Sequence, residues 1–246
     1  MDLMRDLRVR CPWDRAQTRA TLRPYLVEEV LELDQAIGAG DADAIREELG
    51  DMLLHVAWQL VLSEEDGTAS ADALADQVVR KMQRRHPHLF DLGPREPWEA
   101  LKRRERSGGV LAGLPSTLPA LLHAFRLQER AASVGFDWPD TAGPLEKVKE
   151  EVTEIEAALA SGETDAIEDE LGDLLFAVVN LARKAGVQPR AALERSNRKF
   201  VRRFSQIETL ATERGISMDG VGLDALDRLW DEVKGTERTS HPTHGA

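Results

Sequence analysis

The chain is predicted to be all-α, with two helical domains in tandem. Three observations lead to this expectation. Helix formers dominate the 246 residues and aromatics make up only 5%, a composition of soluble helical proteins. No stretch carries the alternation or β-branched enrichment of a strand. An acidic helix pair is also written twice. Residues 28–57 and 150–179 align without a gap at a constant separation of 122, and 15 of 30 positions are identical. A repeat of this size in a chain of this length points to two domains.

The first domain is expected over residues 1–92. Cys11-Pro12-Trp13-Asp14 makes a turn-like lead-in, and a helix follows Pro24 from Tyr25 to Ile37. Gly38-Ala39-Gly40 breaks that helix, and Asp41 or Asp43 can cap the next, Asp43 to Leu62. A polar loop, Ser63 to Thr68, leads to a third helix, Ala71 to Arg85, which His86-Pro87-His88 ends. Residues 93–118 carry Pro94, Pro97, Gly108, Gly109, Gly113 and Pro115 around one short charged helix, Trp98 to Arg106, and read as a linker.

The second domain is expected over residues 119–234. A helix from Pro119 to Val134 introduces it, and Gly135-Phe136-Asp137-Trp138-Pro139-Asp140 repeats the Trp-Asp theme. Helices Leu145 to Leu159 and Ala166 to Ala185 flank a turn at Ser161–Asp165. A third runs from Gln188-Pro189 to Arg214. A last one, Leu223 to Val233, follows Gly220-Val221-Gly222. Residues 235–246 are small and polar without an apolar stripe, and are expected to be a disordered tail.

In the second domain Val148, Val152, Ile155 and Leu159 follow a four-three-four spacing and are predicted to form the buried stripe. Lys147, Glu150, Glu151 and Glu154 share another face. On the next helix Ile167, Leu171, Leu174, Leu175 and Val178 are apolar, while Glu170, Asp173 and Asn180 fall on about one stripe. A short turn makes the helices antiparallel neighbours, so the acidic stripes can meet. Carboxylates brought together repel unless a cation compensates. All-oxygen ligation selects Mg²⁺, Mn²⁺ or Ca²⁺. A di-iron bundle would want Glu-x-x-His, and the residue at that spacing is Asp51 or Asp173. A lone Glu-Glu-x-x-Glu is usually a solvated face. Here it recurs with Glu-x-x-Asp at one register while neighbouring positions differ, which points to a site.

A basic stripe recurs as well. Arg80-Lys81-Met82-Gln83-Arg84-Arg85 in the first domain matches Arg198-Lys199-Phe200-Val201-Arg202-Arg203 in the second. Lys199, Arg202 and Arg203 share a face, and beside a metal cluster such a stripe suits a phosphate chain. No Walker loop or glycine-rich nucleotide fingerprint occurs. A net charge of −12 disfavours nucleic acid and anionic membrane as partners, but not a small polyanion delivered with a metal. The lone Cys11 cannot form an internal disulfide. The amino-terminal residues lack an apolar signal core. The longest apolar stretch, Met52 to Leu62, is interrupted and too short to span a bilayer. A cytoplasmic location is the expectation.

These motifs resemble the MazG family of nucleoside triphosphate pyrophosphohydrolases, in its long two-domain bacterial form. The resemblance rests on Cys11-Pro12-Trp13-Asp14, both acidic sets, Arg84-Arg85-His86-Pro87-His88, Gly135-Phe136-Asp137-Trp138 and Asn197-Arg198-Lys199-Phe200, in that order along the chain. It implies two helical bundles, a homodimer, and Mg²⁺-dependent hydrolysis of nucleoside triphosphates to monophosphate and pyrophosphate with broad base tolerance. It links the chain to nucleotide-pool sanitation or stringent-response modulation.

By resemblance the metal ligands would be Glu151, Glu154, Glu170 and Asp173, with Glu29, Glu32, Glu48 and Asp51 as a secondary set. Nucleotide contacts would come from Lys147, Lys199, Arg203, Trp230 and Lys234, with Asn180 nearby. Glu150 is left to support the metal shell or act as general base. The second domain would be the catalytic one. In the first, Trp58 replaces Asn180, Val79 replaces Asn197, and Leu26 or a neighbour replaces Lys147. Trp58 is expected to fill core and His55 to be structural. Alternatives are a narrower dUTP or phosphoribosyl-ATP pyrophosphatase and a non-catalytic nucleotide-sensing scaffold.

Overall fold

A computed structural model of the chain describes residues 1–105 and 108–240. Every regular element among them is helical, and none is long and apolar enough to cross a membrane. The chain forms two compact units, Met1–Leu101 and Lys102–Ala246.

The first unit opens with α1 (Asp2–Arg10), which the sequence patterns do not predict, and α2 (Pro12–Ala16), where they predict a turn-like lead-in. Both are held from outside their own length. Met4 is buried, Arg5 and Arg8 pair with Glu64 and Glu65, and the Arg8 guanidinium donates to the carbonyls of Asp14, Arg15 and Gln17 at 2.7–3.0 Å. Helix α3 (Arg19–Ala39) starts six residues earlier than expected. Thr18 and Thr21 form a reciprocal capping box there, which outweighs the bond lost at Pro24 inside the helix.

Gly40 ends α3 in the left-handed region at φ 72°, a conformation that suits glycine. Asp41 then caps α4 (Ala42–Glu65), its carboxylate accepting from the amides of Asp43 and Ala44. Ser70 caps α5 (Ala71–Arg85), and a single 3₁₀ turn follows at Pro87–Leu89. The core joins Met4 and Leu22 to Trp58, Val61 and Leu62 of α4.

The unit boundary falls at Leu101, inside the expected linker of residues 93–118. Trp98, which opens α6 (Trp98–Arg104), packs against the His86 ring at 5.5 Å and a tilt of 50°, and lies under the Arg85 guanidinium. This end of the expected linker therefore belongs to the first unit. The predicted helix end at Arg106 lies outside the described residues. Leu111 and Ala112 go with the second unit, where their carbonyls accept from Arg130.

The second unit comprises α7 (Ala120–Ala132), α8 (Ala142–Ser161), α9 (Thr164–Lys184), α10 (Pro189–Glu213) and α11 (Leu223–Ser240). Helices α8 and α9 form an antiparallel hairpin as α3 and α4 do, and Gly162 ends α8 at φ 75°, 122 residues beyond Gly40. Helix α7 packs against α9 and α10. Helix α11 closes on α10 through Ile207, Ala211, Leu229 and Val233.

Two expectations need correction. The last helix continues to Ser240 rather than ending at Val233, because Glu237 pairs with Arg202 and Arg203 and extends the α10–α11 contact by a turn. The expected disorder therefore does not begin at Gly235, and residues 241–246 lie outside the described set. The predicted stripe on α8 also divides. Ile155 is buried with Ala158, whereas Val152 and Leu159 are 41% and 59% exposed. An apolar arc wider than one helical contact serves two surfaces.

The outer surface is itself repeated. Val152, Leu159, Leu171, Leu175 and Val178 are all exposed, and so are Val30, Ile37, Leu49, Leu53 and Val56 at the same positions 122 residues earlier. Each unit thus presents an apolar face on the hairpin that carries its acids.

Candidate active site

The acids converge as the helix pairing requires. In the second unit Glu151, Glu154 and Glu170 offer ligand oxygens that all lie within 4.8 Å of one another, and Glu29, Glu48 and Asp51 do the same in the first. Each unit therefore gathers three of its four expected carboxylates. Asp173 and Glu32 stand outside these groups, although the Glu32 charge still acts on Glu29 and Glu48. Adding a fourth anion to so small a volume would raise the repulsion further.

Electrostatics mark both clusters. Desolvation, then the Glu151 charge, raises the pKa of Glu154 above the usual carboxylate value. Desolvation, followed by neighbouring acids, raises Glu29 and Glu48 as well. Glu151 is 3% exposed, and its Oε2 has no partner; neither does Oε2 of Glu48. Buried, unpartnered carboxylate oxygens in a group of acids are the donor set a hard divalent cation requires.

Lys147 reaches this cluster from one turn earlier on α8. Its Nζ lies 2.8 Å from Glu150 and 2.6 Å from Glu151. The hydrogen bonds to these acids raise its pKa, so it stays an ammonium. Glu150 is solvent-exposed and outside the cluster. At the constant register of 122 the first-unit counterpart of Lys147 is Tyr25, the neighbour of Leu26. His55 is buried with Nε2 3.8 Å from Glu29. Trp58 lies in the core.

The basic residues lie on α10 and α11. Arg203 lies over the Trp230 ring at 5.7 Å, Phe200 packs against the same ring at a tilt of 44°, and Arg202 and Arg203 pair with Glu237. Lys234 pairs with Asp231, and Asn197 and Lys199 are exposed. Among the described residues no ion pair joins Lys199, Arg202 or Arg203 to the acids of α8 and α9.

Asn180 sits elsewhere again, in the wall of a cavity of about 540 Å³ between α7, α9 and the Gly135–Trp138 turn. Its Oδ1 accepts from Arg183, which also pairs with Asp137. Those bonds hold the Asp137 carboxyl below its usual pKa. Gln128 of α7 lines this cavity and belongs to none of the sequence motifs. Its available signal was a polar residue on the apolar Leu121–Phe125 stripe.

Comparison with known proteins agrees with this architecture. The MazG nucleotide pyrophosphohydrolase domain matches residues 17–90 and 143–207, so the second match takes in Lys147 to Arg203 and stops before Trp230. The chain is 39% identical over 250 residues to the nucleoside triphosphate pyrophosphohydrolase of Escherichia coli K12, covering 96% of this chain and 95% of that protein. It is 39% identical over 235 residues to the nucleoside triphosphate pyrophosphohydrolase/pyrophosphatase MazG of Thermotoga maritima, covering 93% and 91%.

Proposed function

The chain belongs to the MazG nucleotide pyrophosphohydrolase family, and we propose that it hydrolyses nucleoside triphosphates to monophosphate and pyrophosphate at the acidic hairpin of its second unit. One observation carries the reading: three carboxylates within 4.8 Å, one of them buried with an unpartnered oxygen. Glu151, Glu154 and Glu170 would hold Mg²⁺, or Mn²⁺ in its place. Asp173, about one turn beyond Glu170, is the fourth carboxylate assigned to the metal. When bound, the ion supplies a Lewis acid for the phosphate oxygens and an acidified water.

This chain's own groups do the rest. Glu150, 2.8 Å from the Lys147 Nζ, receives the proton of the attacking water. Lys147 holds Glu151 in place and supplies positive charge at the entry of the phosphates. Lys199, Arg203 and Lys234 neutralise the charge that develops on departing pyrophosphate, with Arg202 anchoring Glu237 alongside. Trp230 backs the Arg203 guanidinium, 5.7 Å from its ring centre.

The exposed apolar face on each hairpin supports a homodimer in which a second copy covers it. A net charge of −12 suits a nucleotide delivered with its metal better than nucleic acid. These features fit an enzyme acting on the cytoplasmic nucleotide pool. The first unit keeps three clustered acids but has Tyr25 and Trp58 where the second has Lys147 and Asn180, so catalysis is assigned to the second.

Purified full-length protein with Mg²⁺ and each common nucleoside triphosphate tests the reading. Equimolar monophosphate and pyrophosphate are expected from several bases. Binding without turnover would identify a nucleotide sensor instead, and turnover of one base alone a narrower pyrophosphatase.

A further inference from the structure

We propose that the cavity at Asn180 receives the nucleobase of the substrate, and that in the first unit the indole of Trp58 fills the corresponding space. This inference rests on the hydrolase reading for the identity of its ligand. Its own basis is a comparison of two cavities in one chain.

In the second unit the 540 Å³ cavity is walled by Phe136, Trp138 and Phe176, with Gln128 and Asn180 as neutral polar groups. The Trp138 ring lies so close to the first turn of α8 that a Cβ on Gly143 would fall 2.3 Å from it. Only a glycine there lets the indole form this wall. In the first unit a cavity of about 240 Å³ lies among Trp13, Leu54 and Trp58, with Met4 and Leu7 from α1. Leu54 and Trp58 are the residues 122 positions before Phe176 and Asn180. Met4 and Leu7 repeat the three-residue spacing of Gln128 and Ala131 on the preceding helix. The two spaces therefore correspond, and the smaller one contains an indole that is 3% exposed.

The chemistry of the larger cavity selects a flat, uncharged, hydrogen-bonding ring. Aromatic walls suit stacking. The Arg183 guanidinium takes up Asn180 Oδ1, and the Asn180 Nδ2 donates to nothing among the described residues. Gln128 is 5% exposed; its Nε2 donates to the Phe176 carbonyl at 2.9 Å and its Oε1 has no partner. An uncommitted donor and an unmet acceptor match a base edge, which carries both. The Arg183 charge is taken up by Asp137, which removes a claim on phosphate. Asn180 lies seven residues beyond Asp173 on α9, about 10 Å along the axis and on nearly the same stripe. That offset suits a nucleotide with its phosphates at the acids and its base in the cavity.

Photo-crosslinking of the full chain with 5-iodo-UTP and Mg²⁺, followed by peptide mapping, tests the placement. Adducts are expected at Phe136, Trp138 or Phe176. Adducts confined to Trp230 or to the first unit, or no adduct at all, would overturn it. A kinetic companion is Asn180→Trp, which copies the first unit and is expected to raise the UTP KM by about ten-fold or more. An unchanged KM would also overturn the assignment. If the wild-type chain forms the expected adduct but releases no pyrophosphate, the hydrolase reading fails and the pocket stands.

Discussion

Lys147 and Glu151 form an ion pair of 2.6 Å across one turn of α8, with the carboxylate 3% exposed and the ammonium at the surface. The lysine is thus the cation that a buried metal-site carboxylate keeps close in this structure. Replacing it by methionine leaves Glu151 buried beside other acids. Lys147→Met should lower the melting temperature without metal, and saturating Mg²⁺ should recover most of the loss. Thermal melts with and without Mg²⁺ decide this, and an equal loss in both would show that the pair is unconnected with metal binding.

Glu154→Gln should abolish turnover and raise the melting temperature of the metal-free protein. The folded-state pKa of Glu154 is raised, first by desolvation and then by the Glu151 charge. A raised carboxylate stabilises the fold when protonated. That contribution is full below the ordinary value of 4.5 and is lost as pH rises through the folded value. The glutamine variant should therefore be the more stable at neutral pH, and the difference should vanish as pH falls toward about 4.5. Melting curves across that range check the sign. A variant less stable than wild type at neutral pH would contradict it.

The two acidic clusters should not be equivalent. Glu170→Gln should reduce pyrophosphate release by roughly 100-fold or more, the scale on which metal sites respond even to lost supporting groups. Glu48→Gln, at the same place in the first unit, should leave most activity. Equal losses would show that both units work despite Tyr25 and Trp58.

The contrast shows what the sequence made legible. The helix pairs and their acids were visible because burial pattern and charge recur at one spacing, and three of four carboxylates do meet in each unit. Helices α1 and α2 were not visible, because Arg5 and Arg8 secure them through residues nearly sixty positions away. The partition of Val152 and Leu159 from Ile155 was hidden for a related reason: periodicity reports an apolar arc, not which neighbour covers it. Gln128 belongs to no motif, and its role depends on the turn that folds back against α7. The arginine stripe was legible as a stripe, but its pairing with Glu237 depends on how α11 packs.

The repeated apolar faces lead to an expectation about assembly. A charge at the centre of such a face is costly once a second copy covers it. Leu175→Glu together with Leu53→Glu should convert a dimer into monomers without loss of helix content. Sedimentation velocity and circular dichroism measure the two quantities. A wild-type chain that sediments as a monomer would contradict the assembly outright.

Hydrolysis in ¹⁸O-labelled water, read by phosphorus NMR, tests the central claim most directly. Water attacking the α-phosphorus places the label in the nucleoside monophosphate and leaves pyrophosphate unlabelled. That pattern is expected with Mg²⁺ and is expected to disappear in Glu170→Gln. Label in pyrophosphate, or nucleoside diphosphate and inorganic phosphate as the main products, would contradict it.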